Sequence, residues 1–489
     1  MRKSATLLFC LLIVPTFLLA QTGISRFEHV IVVVQENRTP DNLFQGLCLP
    51  PYGHATACGK AAGQFDIQGY GFDKIGNRVP LAPVPLGNGY DPGHSHWSFE
   101  VMCNPNSVTH YPCTQNTRLT TLGCPTKCSF QYVDPKATPT IYPYLYMAQK
   151  FGWANRMFQT NQGPSAPAHQ FLFAGTSAPT AADDANAVFV AENPINGSGC
   201  LAPLDETYPL IDPARAPRTY DLLNSPLGTV CFSHPTMASL LDTHRYHWRY
   251  YTEGHPNDHT STSIWTAPNW IQEICQPNST FTACTGQQWL NNVDVNPPDV
   301  LRDIQNCNLV NMVWVIPKGQ YSDHPAVQGG ADGGPAWVAN IVNAVSSSPC
   351  LDHVNGAPVP YWQDTAIVVT WDDWGGFYDH VLPPFLSQPN QGQGDYQLGF
   401  RVPLIFISAY TTQTIDSTNQ YDFGSILRFA ERNFGIQEGA LGFADQRATT
   451  DLQVFYDFRR APKKFLIPTT VSASFFLNDR RPATPPDVD

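Results

Sequence analysis

Short runs of apolar residues alternate along the chain with segments in which apolar residues recur at helical spacing. The apolar runs cover residues 27–34, 248–251, 311–316, 365–370 and 402–407. Helical spacing is found at residues 141–151, 236–242, 335–346 and 425–434, and a further helix is expected to begin near Ser165. Runs this short and rich in β-branched residues indicate buried strands. The alternation predicts an α/β fold with a mainly parallel central sheet and helices on both faces.

Polar residues follow three of the predicted strands. Glu36 and Asn37 come directly after the first run, Asp372 and Asp373 follow the run at 365–370, and His324 comes after the run at 311–316. In open α/β sheets, ligands bind beyond the carboxyl ends of the strands. Carboxylate and amide oxygens suit a hard divalent cation, which would also relieve the repulsion between adjacent acids. We therefore expect one divalent metal ion here, the alternative being solvated strand ends and a turn.

Ser165 is the candidate nucleophile. It follows a Gly-Pro turn and precedes the apolar residues 171–174, so it lies at or near a helix N-terminus, where a hydroxyl meets backbone N–H groups that hold anions such as phosphate. A cation beside this hydroxyl would lower its pKa. The alternative is an ordinary serine N-cap. His94 and His324 are candidates to contact a phosphoryl oxygen or to protonate a leaving group, although a chain with 14 histidines also holds incidental ones.

Length and charge narrow the class of protein. The chain has 489 residues, a net charge of −12 and only 14% charged residues, so binding to nucleic acid by electrostatics is not expected. No internal repeat or strong linker is found. We expect one domain over residues 27–470, with loop-rich insertions at about 47–135 and 180–300, and a mobile tail over residues 471–489.

The first 20 residues have the pattern of a secretory signal peptide. Two basic residues precede an apolar stretch at 7–19, and Ala20 is a plausible cleavage point. No later stretch is long and apolar enough to cross a membrane, so we expect a secreted or periplasmic protein. Twelve cysteines then remain, which favours disulfides. Plausible near-neighbour pairs are Cys48/Cys58, Cys103/Cys113, Cys124/Cys128 and Cys275/Cys284.

Two longer motifs resemble a known family. Residues 36–46 (ENRTPDNLFQG) and residues 371–381 (WDDWGGFYDHV) resemble the two signatures of the bacterial phosphoesterase family that contains non-haemolytic phospholipases C and an acid phosphatase branch. Weaker blocks at residues 163–165, 321–325 and 425–434 match in the same order, and the resemblance spans roughly residues 27–458.

This resemblance implies an alkaline-phosphatase-like fold and a hydrolase that acts on phosphate esters through a phosphoserine. By that resemblance the metal ligands are Glu36, Asn37, Asp372 and Asp373, the nucleophile is Ser165, and His94 and His324 face the phosphoryl group. The substrate would be a phosphomonoester or a phospholipid headgroup. The metal could be Ca²⁺, Mg²⁺, Mn²⁺ or Zn²⁺.

The chain departs from the family pattern at several positions. Pro40 stands where an aromatic residue is usual, and Gln45 is an additional residue. After Ser165 the family usually has Pro-Asn-Arg, and this chain has Pro-Ala-His, ending at His169. These changes leave open a non-catalytic secreted binding protein on the same scaffold. A sulfatase is the remaining alternative, but formylglycine formation at Ser165 requires an arginine where His169 stands.

Overall fold

The computed structural model describes residues 24–73, 76–87, 91–103, 127–194, 197–203, 206–211, 221–224, 231–255, 259–325, 333–386 and 396–482. The strands are β1 His29–Gln35, β2 Tyr70–Phe72, β3 Arg78–Pro80, β4 Ala82–Val84, β5 Gln131–Val133, β6 Gly152–Ala154, β7 Phe189–Val190, β8 Thr207–Ile211, β9 Asp221–Asn224, β10 Trp248–Tyr251, β11 Val293–Asp294, β12 Met312–Val315, β13 Leu351–Val354, β14 Ala357–Pro360, β15 Thr365–Trp371, β16 Phe385–Leu386, β17 Tyr396–Gln397, β18 Leu404–Ile407 and β19 Ile415–Asp416. The helices are α1 Pro40–Leu43, α2 His96–Cys103, α3 Tyr142–Lys150, α4 Ser165–Ala174, α5 Ala181–Ala185, α6 Met237–Thr243, α7 Gln272–Cys275, α8 Gln287–Asn292, α9 Asp299–Gln305, α10 Gly334–Ser347, α11 Tyr361–Asp364, α12 Phe423–Asn433, α13 Phe443–Arg447 and α14 Ala473–Leu477.

The central sheet has the strand order β11-β10-β12-β1-β15-β18-β6-β19. The pairs from β11 to β15 are all parallel, β18 runs antiparallel to both of its neighbours, and β19 is parallel to β6. The predicted α/β fold with a mainly parallel sheet is therefore confirmed.

The two central strands are buried along their whole length. Every residue of β1 and of β15 is buried, which explains why both sequences are nearly continuous apolar runs without alternation. Helices cover both faces, as predicted. Trp314 and Trp371 point to opposite faces because they pair in register with Val32 and Gln35 of β1. Phe173 of α4 packs on Trp314, and Tyr144 of α3 packs on Trp371.

The register of the sheet places two strand ends side by side. Gln35, the last residue of β1, pairs with Trp371, the last residue of β15. The next residues, Glu36 and Asp372, therefore leave the sheet next to each other. This edge of the sheet carries the candidate site.

The predicted insertions and tail contain ordered elements. The region at 180–300 contributes β10 and β11 to the edge of the central sheet. The predicted tail includes α14, whose Phe476 is buried. The boundaries of the domain, like those of the signal peptide, stay predictions, since residues 1–23 and 483–489 lie outside the described residues.

The structure confirms two predicted disulfides and adds two others. Cys48–Cys58 and Cys275–Cys284 are bonded as expected. Cys200–Cys231 and Cys307–Cys350 join cysteines 31 and 43 residues apart, too far for near-neighbour pairing to reveal. The other two predicted pairs each include a cysteine, Cys113 or Cys124, outside the described residues.

Candidate active site

Two turns, one after β1 and one after β15, donate backbone hydrogen bonds to the carboxylates of Asp372 and Asp373. Asn37 has a left-handed backbone with φ of 63°, and its N–H donates to Asp372 Oδ1 at 3.0 Å. Asparagine is one of the few residues besides glycine that adopt this conformation readily. On the other strand the Gly375 N–H donates to Asp373 Oδ1 at 2.6 Å. Glu36, Asn37, Asp372 and Asp373 are all fully buried, so the structure brings together the four predicted metal ligands.

Ser165 is the first residue of α4, and its hydroxyl reaches this acidic group. The N-cap residue is Pro164, whose side chain makes no capping hydrogen bond. The Ser165 hydroxyl instead donates to Asp373 Oδ2 at 3.2 Å. The neighbouring helix N–H, that of Ala166, is held by Asn193 Oδ1 at 2.9 Å. Ser165 is therefore not the ordinary serine N-cap that the sequence left open.

The two predicted histidines lie on either side of an aspartate. His94 and His324 have ring centroids 6.4 Å apart. Asp91 Oδ2 lies 3.6 Å from His94 Nδ1 and 3.7 Å from His324 Nε2. All three side chains are buried. Asp91 was not singled out as a functional residue, although it opens the Asp-Pro-Gly-His loop that carries His94.

The hydrogen bonds of His94 orient the amide of Asn37. His94 Nδ1 lies 3.0 Å from the Pro92 carbonyl oxygen, so this nitrogen carries the proton and donates. His94 Nε2 then accepts from Asn37 Nδ2 at 3.2 Å. The amide oxygen of Asn37 is left without a hydrogen-bond partner among the described residues. A buried amide oxygen held this way is a suitable cation ligand.

His169 joins the group from the same helix as Ser165. Its Nε2 lies 3.4 Å from Glu36 Oε1 and 3.8 Å from Asp372 Oδ2. Burial lowers the pKa of His169 to about 4, and the nearby Asp372 only partly opposes that shift. The ring is therefore neutral at pH 7. In the sequence, His169 stands out only as a departure from the family pattern. Because it follows Ser165 by four residues, however, helical spacing places the two side chains on one face of the helix.

The negative charge of this group has little compensation from the protein. Burial and the adjacent Asp372 carboxylate raise the pKa of Asp373 well above its usual range. Within the described residues, no lysine or arginine pairs with Asp372 or Asp373, and Asp372 Oδ2 has no hydrogen-bond partner there. Two adjacent buried carboxylates without a cation are unfavourable. The oxygen-rich donor set, with unpaired oxygens on Asn37 and Asp372, fits a divalent metal ion.

Two other groups of acids and histidine among the described residues are close enough to hold a metal ion, and each contains a compensating positive charge or proton. In the group of Asp41, Asp379 and His380, the guanidinium of Arg401 lies 2.7 Å from Asp379 Oδ1. In the group of His29, Asp352 and Asp364, the ring of His29 contacts Asp352 at 2.6 Å, and burial together with Asp352 raises the pKa of Asp364 to about 9. A proton on Asp364 therefore relieves the repulsion in that group.

All seven predicted site residues thus lie in one buried cluster at the carboxyl edge of the sheet. Their roles stay predictions. Among the described residues, none of the helices combines the length and apolar composition that crossing a bilayer requires.

Known proteins resemble this chain over most of its length or over parts of it. The Hemolytic phospholipase C of Pseudomonas aeruginosa is 24% identical over 489 residues, covering 90% of this chain and 57% of that protein. The Non-hemolytic phospholipase C of Burkholderia pseudomallei is 30% identical over 156 residues, covering 28% of this chain and 21% of that protein. The chain therefore spans less than two thirds of the length of these curated relatives.

Solved structures resemble this chain only distantly. A protein in the alkaline phosphatase superfamily from Vibrio parahaemolyticus aligns over 60% of each chain, with 10% identity and a TM-score of 0.30. At that score the alignment adds nothing to the architecture described above. The comparison with protein families covers more of the chain. The sequence model of the family described as "Phosphoesterase family" matches residues 27–437. The chain belongs to the phosphoesterase family.

Proposed function

We propose that this chain is a secreted, metal-dependent phosphoesterase that hydrolyses phosphate esters through a covalent intermediate on Ser165. The observation that carries the proposal is the hydroxyl of Ser165, which begins helix α4 and donates to Asp373 in the buried acidic group. A hydroxyl in this position combines a nucleophile with a helix terminus that favours phosphate.

Glu36, Asn37, Asp372 and Asp373 would hold one divalent metal ion in this site. When bound, the ion neutralises the carboxylates, lowers the pKa of the Ser165 hydroxyl and balances charge on the phosphoryl oxygens. The protein orients the remaining groups. Asp373 Oδ2 accepts the hydrogen bond of the hydroxyl, which fixes the position of the attacking oxygen.

The reaction proceeds in two displacements at phosphorus. In the first, the proton of Ser165 Oγ passes to Asp373 Oδ2, its hydrogen-bond acceptor, and Ser165 Oγ bonds to phosphorus as the bond to the leaving oxygen breaks, and that oxygen takes a proton. His324 would supply this proton or contact the phosphoryl oxygens, and His94 would do so in its doubly protonated form, in which Nε2 also carries a proton. In the second, water attacks phosphorus, the bond to Ser165 Oγ breaks, and the hydroxyl regains its proton. If the substrate is a diester, the intermediate keeps the headgroup on phosphorus.

The relatives favour a phospholipid substrate. The relatives named above are phospholipases C, and one of them aligns over 90% of this chain. We therefore place a phosphodiester of the phospholipid class first and a phosphomonoester second. The predicted signal peptide and the four described disulfides support an oxidising compartment outside the cytosol.

Substitution of Ser165 tests this proposal. Ser165→Ala is expected to lower the hydrolysis of phosphatidylcholine and of p-nitrophenyl phosphate by at least about 1000-fold, because the nucleophile is lost. The matched control is Ser346→Ala, which removes another buried helical hydroxyl, the one that donates to the Phe465 carbonyl. This control is expected to keep full activity. A chelator is expected to abolish the activity of the wild-type protein, and added divalent metal to restore it.

The covalent intermediate can be detected directly by mass spectrometry. After an acid quench during turnover, mass spectrometry is expected to find phosphate or phosphocholine on the peptide that contains Ser165. Full activity of Ser165→Ala would overturn the assignment. Binding of phosphate esters without turnover would favour the non-catalytic binding protein.

A further inference from the structure

Helix α4 directs two side chains with different chemistry at the same acidic group. Ser165 and His169 are four residues apart and therefore share one face of the helix. Ser165 contacts Asp373, and His169 faces the gap between Glu36 and Asp372. The nucleophile and the imidazole thus contact different carboxylates of the same acidic group.

The imidazole of His169 is buried and makes no hydrogen bond to the described residues. The residue is 1% exposed, and within the part of the chain that the structure describes neither ring nitrogen has a hydrogen-bond partner. Buried polar atoms in folded proteins are nearly always satisfied. An imidazole with two unsatisfied nitrogens, facing two carboxylates, therefore points to a bound group between them.

The distance from His169 to Glu36 fits two ligands of a shared cation, and the distance to Asp372 is a few tenths of an ångström longer. A charge-assisted hydrogen bond between a histidine and a carboxylate is about 2.7–2.9 Å long. The separations from His169 Nε2, 3.4 Å to Glu36 and 3.8 Å to Asp372, are longer than this. Two ligand atoms each about 2.1 Å from one metal ion lie roughly 3.0–3.4 Å apart at octahedral or tetrahedral angles. One donor atom from each of these three residues lies within 4.8 Å of the others.

We propose that His169 supplies a nitrogen ligand to the cation of this site and shifts its preference from Ca²⁺ and Mg²⁺ toward borderline metals such as Zn²⁺ and Co²⁺. The inference rests on the proposed function and goes beyond its four oxygen ligands. Oxygen donors alone suit the hard cations, whereas imidazole favours zinc and its first-row neighbours.

The test compares metal binding by the full-length mature protein, purified without a histidine tag and stripped with a chelator. Zn²⁺ and Ca²⁺ are titrated into the wild type, His169→Gln, and the control His247→Gln, which removes an exposed histidine. His169→Gln is expected to weaken Zn²⁺ binding by at least about 10-fold and to change Ca²⁺ binding by less than about 3-fold. The control is expected to match the wild type for both ions.

A spectroscopic probe reports the nitrogen directly. One equivalent of Cu²⁺ in the wild-type protein is expected to give the pulsed-EPR modulation of a coordinated imidazole, and His169→Gln is expected to lose it. If the wild-type protein lacks this signal, the inference is wrong. This outcome needs no variant, so the test can be made even if His169→Gln fails to fold. Asp372→Asn should abolish binding of the probe at this site.

The remaining outcomes separate this inference from the proposed function. If His169→Gln keeps both the imidazole signal and the Zn²⁺ preference, the inference is wrong, while chelator-sensitive hydrolysis in the same preparations leaves the proposed function intact. If the wild type binds no cation and hydrolyses phosphate esters in chelator, both the inference and the metal dependence are wrong, although Ser165 can still be the nucleophile.

Discussion

At the scale of single residues, the protein neutralises buried acids in two ways at the same edge of the sheet. Asp372 and Asp373 have no arginine or lysine among their described partners, and a cation from solution fits there. The acids Asp41 and Asp379 are paired within the protein by Arg401 and His380. The first group should therefore respond to metal removal, whereas the charges of the second group are balanced by side chains of the protein, of which His380 titrates.

His380 makes the second group sensitive to pH. Its ring lies 2.7 Å from Asp41 and 3.0 Å from Asp66. Burial alone lowers the pKa of His380, but these carboxylates outweigh burial and raise the pKa from 6.5 to about 9. The folded state therefore binds this proton more tightly than the unfolded state. The resulting stabilisation is fully present below about pH 6.5 and is lost as the pH rises through about 9.

We predict that His380→Gln lowers the free energy of unfolding more at about pH 6 than at about pH 9.5, by roughly 2–3 kcal/mol. Urea unfolding of the variant and the wild type at both pH values measures this difference. The exposed His247→Gln is the control and should show no such change. An equal loss of stability at both pH values would mean that the ring is not charged in the folded protein.

At the scale of elements, the site depends on two left-handed turns in contact. Asn37 and Gly375 follow adjacent strands and have φ values of 63° and 59°. A Cβ atom on Gly375 would lie 2.7 Å from the Cβ of Asn37 and closer still to its carbonyl oxygen. Two features therefore require glycine at position 375: the left-handed backbone conformation and the close approach of the turn that contains Asn37.

We predict that Gly375→Ala lowers the stability by about 2–4 kcal/mol and the hydrolytic activity by at least about 10-fold, because the clash displaces Asn37. The matched control is Gly356→Ala, in the turn between β13 and β14. Gly356 has a φ of 80° but open space around its Cβ position, so this variant should lose only about 1–2 kcal/mol and keep its activity. Unfolding curves and hydrolysis of a phosphate ester measure both effects. Equal behaviour of the two variants would contradict the role of the contact.

The same elements show what the sequence could reveal about the site. Glu36 and Asp372 follow long apolar strands, and Ser165 begins a helix after a Gly-Pro turn. Each of these positions has a local signal, so each was predicted. Asp91 and His169 reach the site through tertiary contacts, and only the helical spacing from Ser165 could have indicated His169. A local pattern predicts strand ends and helix starts but not which loops meet above them.

At the scale of the whole molecule, the sheet was predicted where its strands are long. β1 and β15 are buried runs of seven residues, whereas β6, β11 and β19 have only two or three residues and carry no periodic signal. The antiparallel direction of β18 was also not predicted. Parallel neighbours need a crossover connection, usually a helix, and the described residues between β15 and β18 contain none.

The C-terminal segment links global packing to the site. Residues 471–489 were predicted to be a mobile tail, yet Phe476 of α14 is fully buried, with its ring 5.1 Å from that of Tyr321 and 5.2 Å from that of Trp337. Tyr321 ends a short 3₁₀ turn, and His324 follows three residues later. The helix thus supports the loop that carries one of the proposed catalytic histidines.

We predict that Phe476→Ala lowers the stability by about 3–5 kcal/mol, because it opens a cavity against two aromatic rings. It should also lower the hydrolytic activity by about 10-fold at temperatures where the variant is still folded, since the loop carrying His324 loses its support. Phe475 is the matched control, because it is the neighbouring residue and is 52% exposed, so Phe475→Ala should cost less than about 1 kcal/mol and leave activity unchanged. Thermal unfolding and hydrolysis of a phosphate ester distinguish the two variants. If both unfold at the same temperature, the segment does not pack on the domain in solution, and the mobile tail expected from the sequence is the correct description.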